Sequence, residues 1–119
     1  MKQTNYMYMN DHATVGATGI SCSWRATDLL AMDTTGPEQV TMNFKDHVGD
    51  DDAPDKVVIT CVAGADDTID YNRRKAVMST MARLANSVNK QGHVVAFDTL
   101  NSINPNSADI SSIAITLNS

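Results

Sequence analysis

The chain has 119 residues, a net charge of −5 and 42% hydrophobic residues. That length holds one domain with a modest core and leaves no room for separate catalytic and substrate domains. The apolar content excludes wholesale disorder, and the acidic balance excludes the basic surface that nucleic-acid binding needs.

Thirteen of the fourteen acids are Asp, Glu38 being the exception. Asp favours turns and caps over helix interiors, so the acids are expected in connections and the fold in strands and loops. The aromatics are Tyr6, Tyr8, Trp24, Phe44, Tyr71 and Phe97, so the core must rest on aliphatics and the seven methionines. "MKQTNYMYMNDH" has no apolar core of signal-peptide length, and no run approaches membrane-spanning length. Folding in a cytoplasm is expected, with Cys22 and Cys61 as reduced thiols. Nothing in their spacing supports a disulfide or a zinc site.

Residues 1–19 show no sustained period and read as an extended N-terminal arm, with residues 20–119 as a single domain. Tyr6, Met7, Tyr8 and Met9 are contiguous, so no single strand or helix face buries all four. The arm is therefore expected to lie on a neighbouring subunit, since Tyr and Met are enriched at interface cores. "ISCSW" alternates, with Ile20, Cys22 and Trp24 on one face, as a half-buried strand does. "DLLAM" is a short extended piece, and "DTTGPEQ" after it is turn chemistry. "QVTMNFK" is the cleanest strand, with Val40, Met42 and Phe44 facing in and Thr41, Asn43 and Lys45 facing out.

"DHVGDDDAPDK", Asp46 to Lys56, reads as a solvated connection of a hairpin. A helix–loop–helix calcium site needs oxygens at alternate positions, a central Gly and a late Glu; Gly49 stands elsewhere and Glu is absent. The local negative well of Asp50, Asp51, Asp52 and Asp55 leaves adventitious calcium binding open, and a functional metal site or catalytic cluster stand as the lesser readings beside the solvated hairpin. No acid stands in an apolar setting that would raise its pKa for catalysis. "KVVITCV" follows as an apolar run typical of a strand covered on both faces.

Val77, Met81, Leu84, Ala85 and Val88 fall on one stripe of a helix spanning about residues 70–90. Asp67, Thr68 or Asp70 can cap its start and Gly92 suits the position after its end. Burial of the four larger side chains contributes roughly 6–12 kcal/mol gross. "HVVAF" is a further strand, "DTLNSINPNSAD" a loop, and "ISSIAITL" a closing strand with Ile113, Ile115 and Leu117 on one face. Val57–Val62, the helix and Val94–Phe97 can form one right-handed crossover with parallel strands. The expected fold is α+β: one amphipathic helix packed on a mixed, mostly antiparallel sheet of about five strands.

Chemistry-bearing candidates are few. Cys61 and His93 can be drawn as a nucleophile and base, but a thiol inside an apolar run is ordinarily inert core. His93 follows the helix end, where the dipole favours its charged form, a structural role. His12 and His47 have no partner at ligand spacing. Arg73, Arg74 and Lys75 occupy the first turns of the helix, where the dipole disfavours cations. Asp66, Asp67 and Asp70 can neutralise them within the chain, or the three can meet an acidic patch on another subunit. "VAGADD" has one Gly followed by acids and cannot cradle a phosphate. No catalytic, metal or cofactor site is expected. Tyr6, Met7, Tyr8, Met9, Arg73, Arg74 and Lys75 are the expected partner contacts.

"KAVMSTMARLANSVNKQGHVVAFDTLNSINPNSADISSIAIT", with the strand before it, resembles the C-terminal half of small virion structural proteins, of the capsid-decoration kind, from short-tailed marine cyanobacterial phages. The likeness covers roughly residues 57–117 in the order strand, helix with a basic start, "VVAFD"-like strand, "LNS" loop and final strand. It carries no sharp ligand motif, so no site residue transfers. It implies a non-enzymatic part of a phage particle, a homo-oligomer contacting the major capsid protein, with no nucleic acid, membrane, cofactor or small-molecule substrate. A tail- or neck-associated subunit, or a small phage-encoded protein acting on a host protein, are the other readings.

Overall fold

The computed structural model describes residues 6–11, 21–45, 55–85 and 93–117. Among the described residues, seven strands form two sheets, and one helix packs against strands of both. The class is α+β, with the strands divided between two sheets where one sheet of about five was expected.

The three-stranded sheet is built from β1 (Tyr6–Asn10), β2 (Ser21–Arg25) and β6 (His93–Asp98). β1 is its central strand, antiparallel to β2 and parallel to β6. This corrects the expectation of an arm. Met7 and Met9 share one face of β1 and are fully buried, while Tyr6 and Tyr8 take the other face and remain partly exposed. No one face buries all four residues, as the sequence implies, but the period of two sorts them within this chain. Residues 1–5 and 12–19 of the expected arm lie outside the described residues.

The four-stranded sheet has the order β3 (Leu29–Gly36), β4 (Gln39–Phe44), β5 (Asp55–Cys61) and β7 (Ile110–Thr116), each pair antiparallel. β4 and β5 pair as the expected hairpin, with Phe44 opposite Asp55 and Val40 opposite Ile59. Val40, Met42 and Phe44 are buried as read, but so is Thr41, at 3% exposed, so the second face of β4 is covered at its middle. The chain passes from the first sheet to the second through a single 3₁₀ turn, Ala26–Asp28, braced by an Arg25–Asp28 ion pair at 3.0 Å.

The helix, α1, runs from Asp67 to Ala85. Its cap is Asp66, whose Oδ1 accepts the Ile69 backbone N–H at 2.9 Å, and not one of the residues proposed from the sequence. Asp70 turns back to accept the Gly64 N–H at 3.0 Å. A Cβ on Gly64 would stand 2.6 Å from that carboxylate oxygen, so only glycine permits the approach. Val77 and Met81 are fully buried and Leu84 and Ala85 pack partly buried against the core, whereas Val88 and Gly92 lie outside the described residues.

The expected parallel crossover does not form. β5 and β6 belong to different sheets, and α1 connects them by bridging the two layers. The parallel partner of β6 is β1. One buried cluster runs from Met7 and Met9 through Trp24 to Phe44, Ile59, Val77 and Met81. Trp24 on β2 stacks on Phe44 of β4, ring centroids 4.6 Å apart and planes 12° from parallel. Its indole Nε1–H donates to Asp55 Oδ2 at 3.0 Å. This one side chain thus ties the first sheet to two strands of the second.

Candidate functional site

Asp46–Pro54 lies outside the described residues. Asp55, the last acid of the run, is fully buried as the first residue of β5 and takes its hydrogen bond from Trp24. It is a core acceptor and not part of a solvated loop. Among the described residues, no three His, Cys, Asp or Glu side chains converge as metal ligands.

The strands of Cys61 and His93 are not neighbours: Cys61 ends β5 and His93 begins β6 in the other sheet. Both cysteines are free thiols. Burial pushes the Cys61 thiol up from its ordinary value, and burial together with the Asp55 charge does the same at Cys22. Thiols held in the protonated form are poor nucleophiles.

The expected contact residues divide by location. Met7 and Met9 are fully buried and present nothing to a partner; their place in β1 removes them from the contact set. Tyr6 is 41% exposed and Tyr8 half-buried. Arg73 Nη1 donates to the Val62 carbonyl at 3.1 Å, and Arg74 Nη1 donates to the Pro37 carbonyl in the turn between β3 and β4. The two guanidiniums thus fasten α1 to the ends of β5 and β3, and Asp66 and Asp70 are spent on backbone N–H groups. Lys75 is exposed, with no hydrogen-bond or ion-pair partner among the described residues.

Between α1 and β3 lies a groove of about 360 Å³ lined by Thr34, Tyr71, Arg74, Lys75, Met78 and Ser79. Among the described residues no carboxylate lines it, in a chain whose acids outnumber its Lys and Arg by fourteen to nine. Tyr71 is 56% exposed at one end. Leu30, on the same edge strand as Thr34, is the most exposed large hydrophobic among the described residues, at 62%. Sequence reading found Arg74 and Lys75 but not Tyr71 or Met78. The available signal was spacing: Tyr71, Lys75 and Met78 stand at i, i+4 and i+7, a second stripe beside the Val77–Met81 stripe.

A smaller cleft of about 260 Å³ opens beside the end of β6, where Asp98 and Thr99 meet Ser102, Ser111 and Ser112. Asp98 is nearly buried there; Asn10 Nδ2 donates to its Oδ1 at 2.9 Å and Asn101 Nδ2 to its Oδ2 at 2.7 Å. These bonds, the Asn10 bond foremost, hold the Asp98 carboxyl below its ordinary value. The loop that follows is anchored to the helix by Asn106 Nδ2, which donates to Thr80 Oγ1 at 3.3 Å and Asp109 Oδ2 at 2.9 Å. Asp98 and Asn104 of this cleft are engaged in holding the loop, Asn104 Nδ2 donating to the Ile110 carbonyl at 2.9 Å, whereas the α1–β3 groove presents a cation and an aromatic outward.

No family model, curated protein or solved structure matches the chain. No helix among the described residues is long and apolar enough to cross a membrane.

Proposed function

We propose that the protein is a phage virion structural component, a capsid decoration or cement subunit that acts through protein–protein contacts and not through catalysis. Its partners in this reading are further copies of itself and the major capsid protein. The observation that carries the reading is the exposed groove between α1 and β3, where Tyr71 stands open beside Arg74 and Lys75. Tyr and Arg are the side chains that most often anchor protein interfaces. The resemblance of roughly residues 57–117 to small virion proteins points the same way.

The test is mass spectrometry of purified particles, followed by cryo-electron microscopy of particles with and without the protein. The expected result is a stoichiometric virion component with density on the head surface. Absence from purified virions overturns the structural reading and favours a protein that acts on a host partner.

A further inference from the structure

We propose that the cleft beside the end of β6 binds a neutral hexopyranose, either a free monosaccharide or the last sugar of a glycan. This goes beyond contacts between proteins and stands on separate observations.

The cleft lies between β6 and β7, which are edge strands of the two sheets, and the loop that joins them completes its wall. Its open chemistry is hydroxyl. Thr99 and Ser102 of the loop and Ser111 and Ser112 of β7 line it, and none of their four side-chain hydroxyls has a partner among the described residues.

Two backbone features put them there. Cys61 pairs with Ile110 and Thr60 with Ser112, so Ser111 is an extra residue in β7. The bulge interrupts the alternation, and both serines are exposed between buried Ile110 and buried Ile113. In the loop, the backbones of Asp98 and Ile103 bond to each other in both directions at 2.9 Å, and Ser102 ends the turn in the left-handed region at φ 57°. Glycine takes that conformation without strain, whereas serine there adds a hydroxyl to the cleft.

The frame is fixed without a ligand. Asp98 accepts Asn10 Nδ2 at 2.9 Å, Asn101 Nδ2 at 2.7 Å and the Asn101 backbone N–H at 3.4 Å, while Asn104 Nδ2 holds the Ile110 carbonyl. A wall already ordered lowers the entropy lost on binding.

The same bonds decide the charge of the ligand. Among the described residues no Lys, Arg or His lines the cleft, so an anion meets only the Asp98 carboxylate. A cation meets one carboxylate whose oxygens already take three donors, and among the described residues no second acid lines the cleft. A neutral, hydroxyl-rich ligand fits, because a Ser or Thr hydroxyl both donates and accepts, as a sugar hydroxyl does. Ile103, 40% exposed, and Phe97 give the wall an apolar part for the C–H face of a pyranose ring. The volume of about 260 Å³ lies below the roughly 300–1,000 Å³ of sites for drug-sized ligands and suits a single ring.

The experiment titrates the isotope-labelled full-length chain with glucose, galactose, mannose and their methyl glycosides, to about 50 mM each, and follows backbone amides by NMR. At least one sugar is expected to bind with a dissociation constant of about 1–10 mM, as suits about a dozen heavy atoms, and to shift amides confined to residues 97–104 and 110–113. Binding of the methyl glycoside assigns the end of a glycan as the source, and binding of the free sugar alone assigns a monosaccharide. The double variant Ser111→Ala, Ser112→Ala, changed at two exposed positions, is expected to melt as the parent does and to bind about tenfold more weakly. Thr99→Val is expected to weaken binding in the same direction and covers the case of a double variant that misfolds. Glycerol and glucuronate at equal concentration are expected to leave these amides unmoved. No shift with any of the sugars, shifts scattered over the surface, equal shifts with glycerol or glucuronate, or folded variants that bind as the parent does overturn the proposal. Because purified protein and small sugars are used, these results are independent of whether particles contain the protein.

Discussion

Trp24→Phe isolates the bond that joins the two sheets. Phenylalanine keeps a ring to stack on Phe44 and removes the indole N–H that reaches Asp55 Oδ2 at 3.0 Å. Asp55 is fully buried, so water does not replace the lost donor. A hydrogen bond to a charged group is worth about 1.5–3 kcal/mol, and the smaller ring forfeits some contact as well. The expected loss is about 2–4 kcal/mol, tempered by the further interaction that Asp55 makes. With a urea slope of about 1–3 kcal/mol per molar for a domain of this size, the midpoint falls by about 1–2 M. Trp24 is the single tryptophan, so unfolding is followed by far-ultraviolet circular dichroism and not by intrinsic indole fluorescence. Phe44→Leu is the companion variant: it keeps the N–H bond and loses the stack, worth about 0.5–1.5 kcal/mol beyond area. A Trp24→Phe midpoint indistinguishable from the parent would refute the reasoning that the indole sustains a buried carboxylate.

Met9→Ala is expected to cost about 2–5 kcal/mol by opening a cavity at the centre of the first sheet, read from the same urea curves, whereas an arm residue would cost nothing measurable. Gly64→Ala forces a Cβ to 2.6 Å from Asp70 Oδ1 and 2.8 Å from Ile69 Cγ2, and a loss of about 1–3 kcal/mol is expected in thermal or chemical melts. Asp98→Asn tests acid linkage. Because the folded carboxyl titrates below its ordinary value of 3.8, its stabilisation is present above that pH and is withdrawn as pH falls through the lower folded value. The variant is therefore expected to be less stable than the parent at neutral pH, with the gap narrowing towards about pH 3 in paired urea titrations.

Local periodicity made most elements legible. Alternation marks β4 and β7 because their apolar residues gather on one face, even though Thr41 on the other face of β4 is also covered, and the i, i+4, i+7 stripe marks α1 because only one face meets the core. Period two reports faces and not partners, so the division of strands into two sheets left no trace in the sequence. β6 follows β5 and the helix in the chain, and adjacency favours their pairing, yet its partner is β1 from the far end. β1 itself was hidden because tyrosine counts as apolar in a pattern while tolerating water at its hydroxyl, which made "YMYM" look like one patch instead of two faces. Asp55 was read with its acidic neighbours because nothing local distinguishes it; only the tertiary placement of Trp24 does. The cations of α1 were visible as residues, but the carbonyls that hold Arg73 and Arg74 belong to Val62 and Pro37, and backbone acceptors have no sequence signature.

The pairing of β1 with β6 sets a timetable for synthesis. Asn10 and its partner Asp98 are 88 positions apart. At about 5–20 residues per second, roughly 4–18 s pass between their translation. Throughout that interval β1 has only β2 beside it, and a lone hairpin is marginal in water. Met7 and Met9 lack one flank of their burial until β6 is made. Proteases and wrong partners therefore have their best access to the N-terminal hairpin on the ribosome, and a ribosome stalled before β6 leaves a nascent chain whose first strand lacks its parallel neighbour.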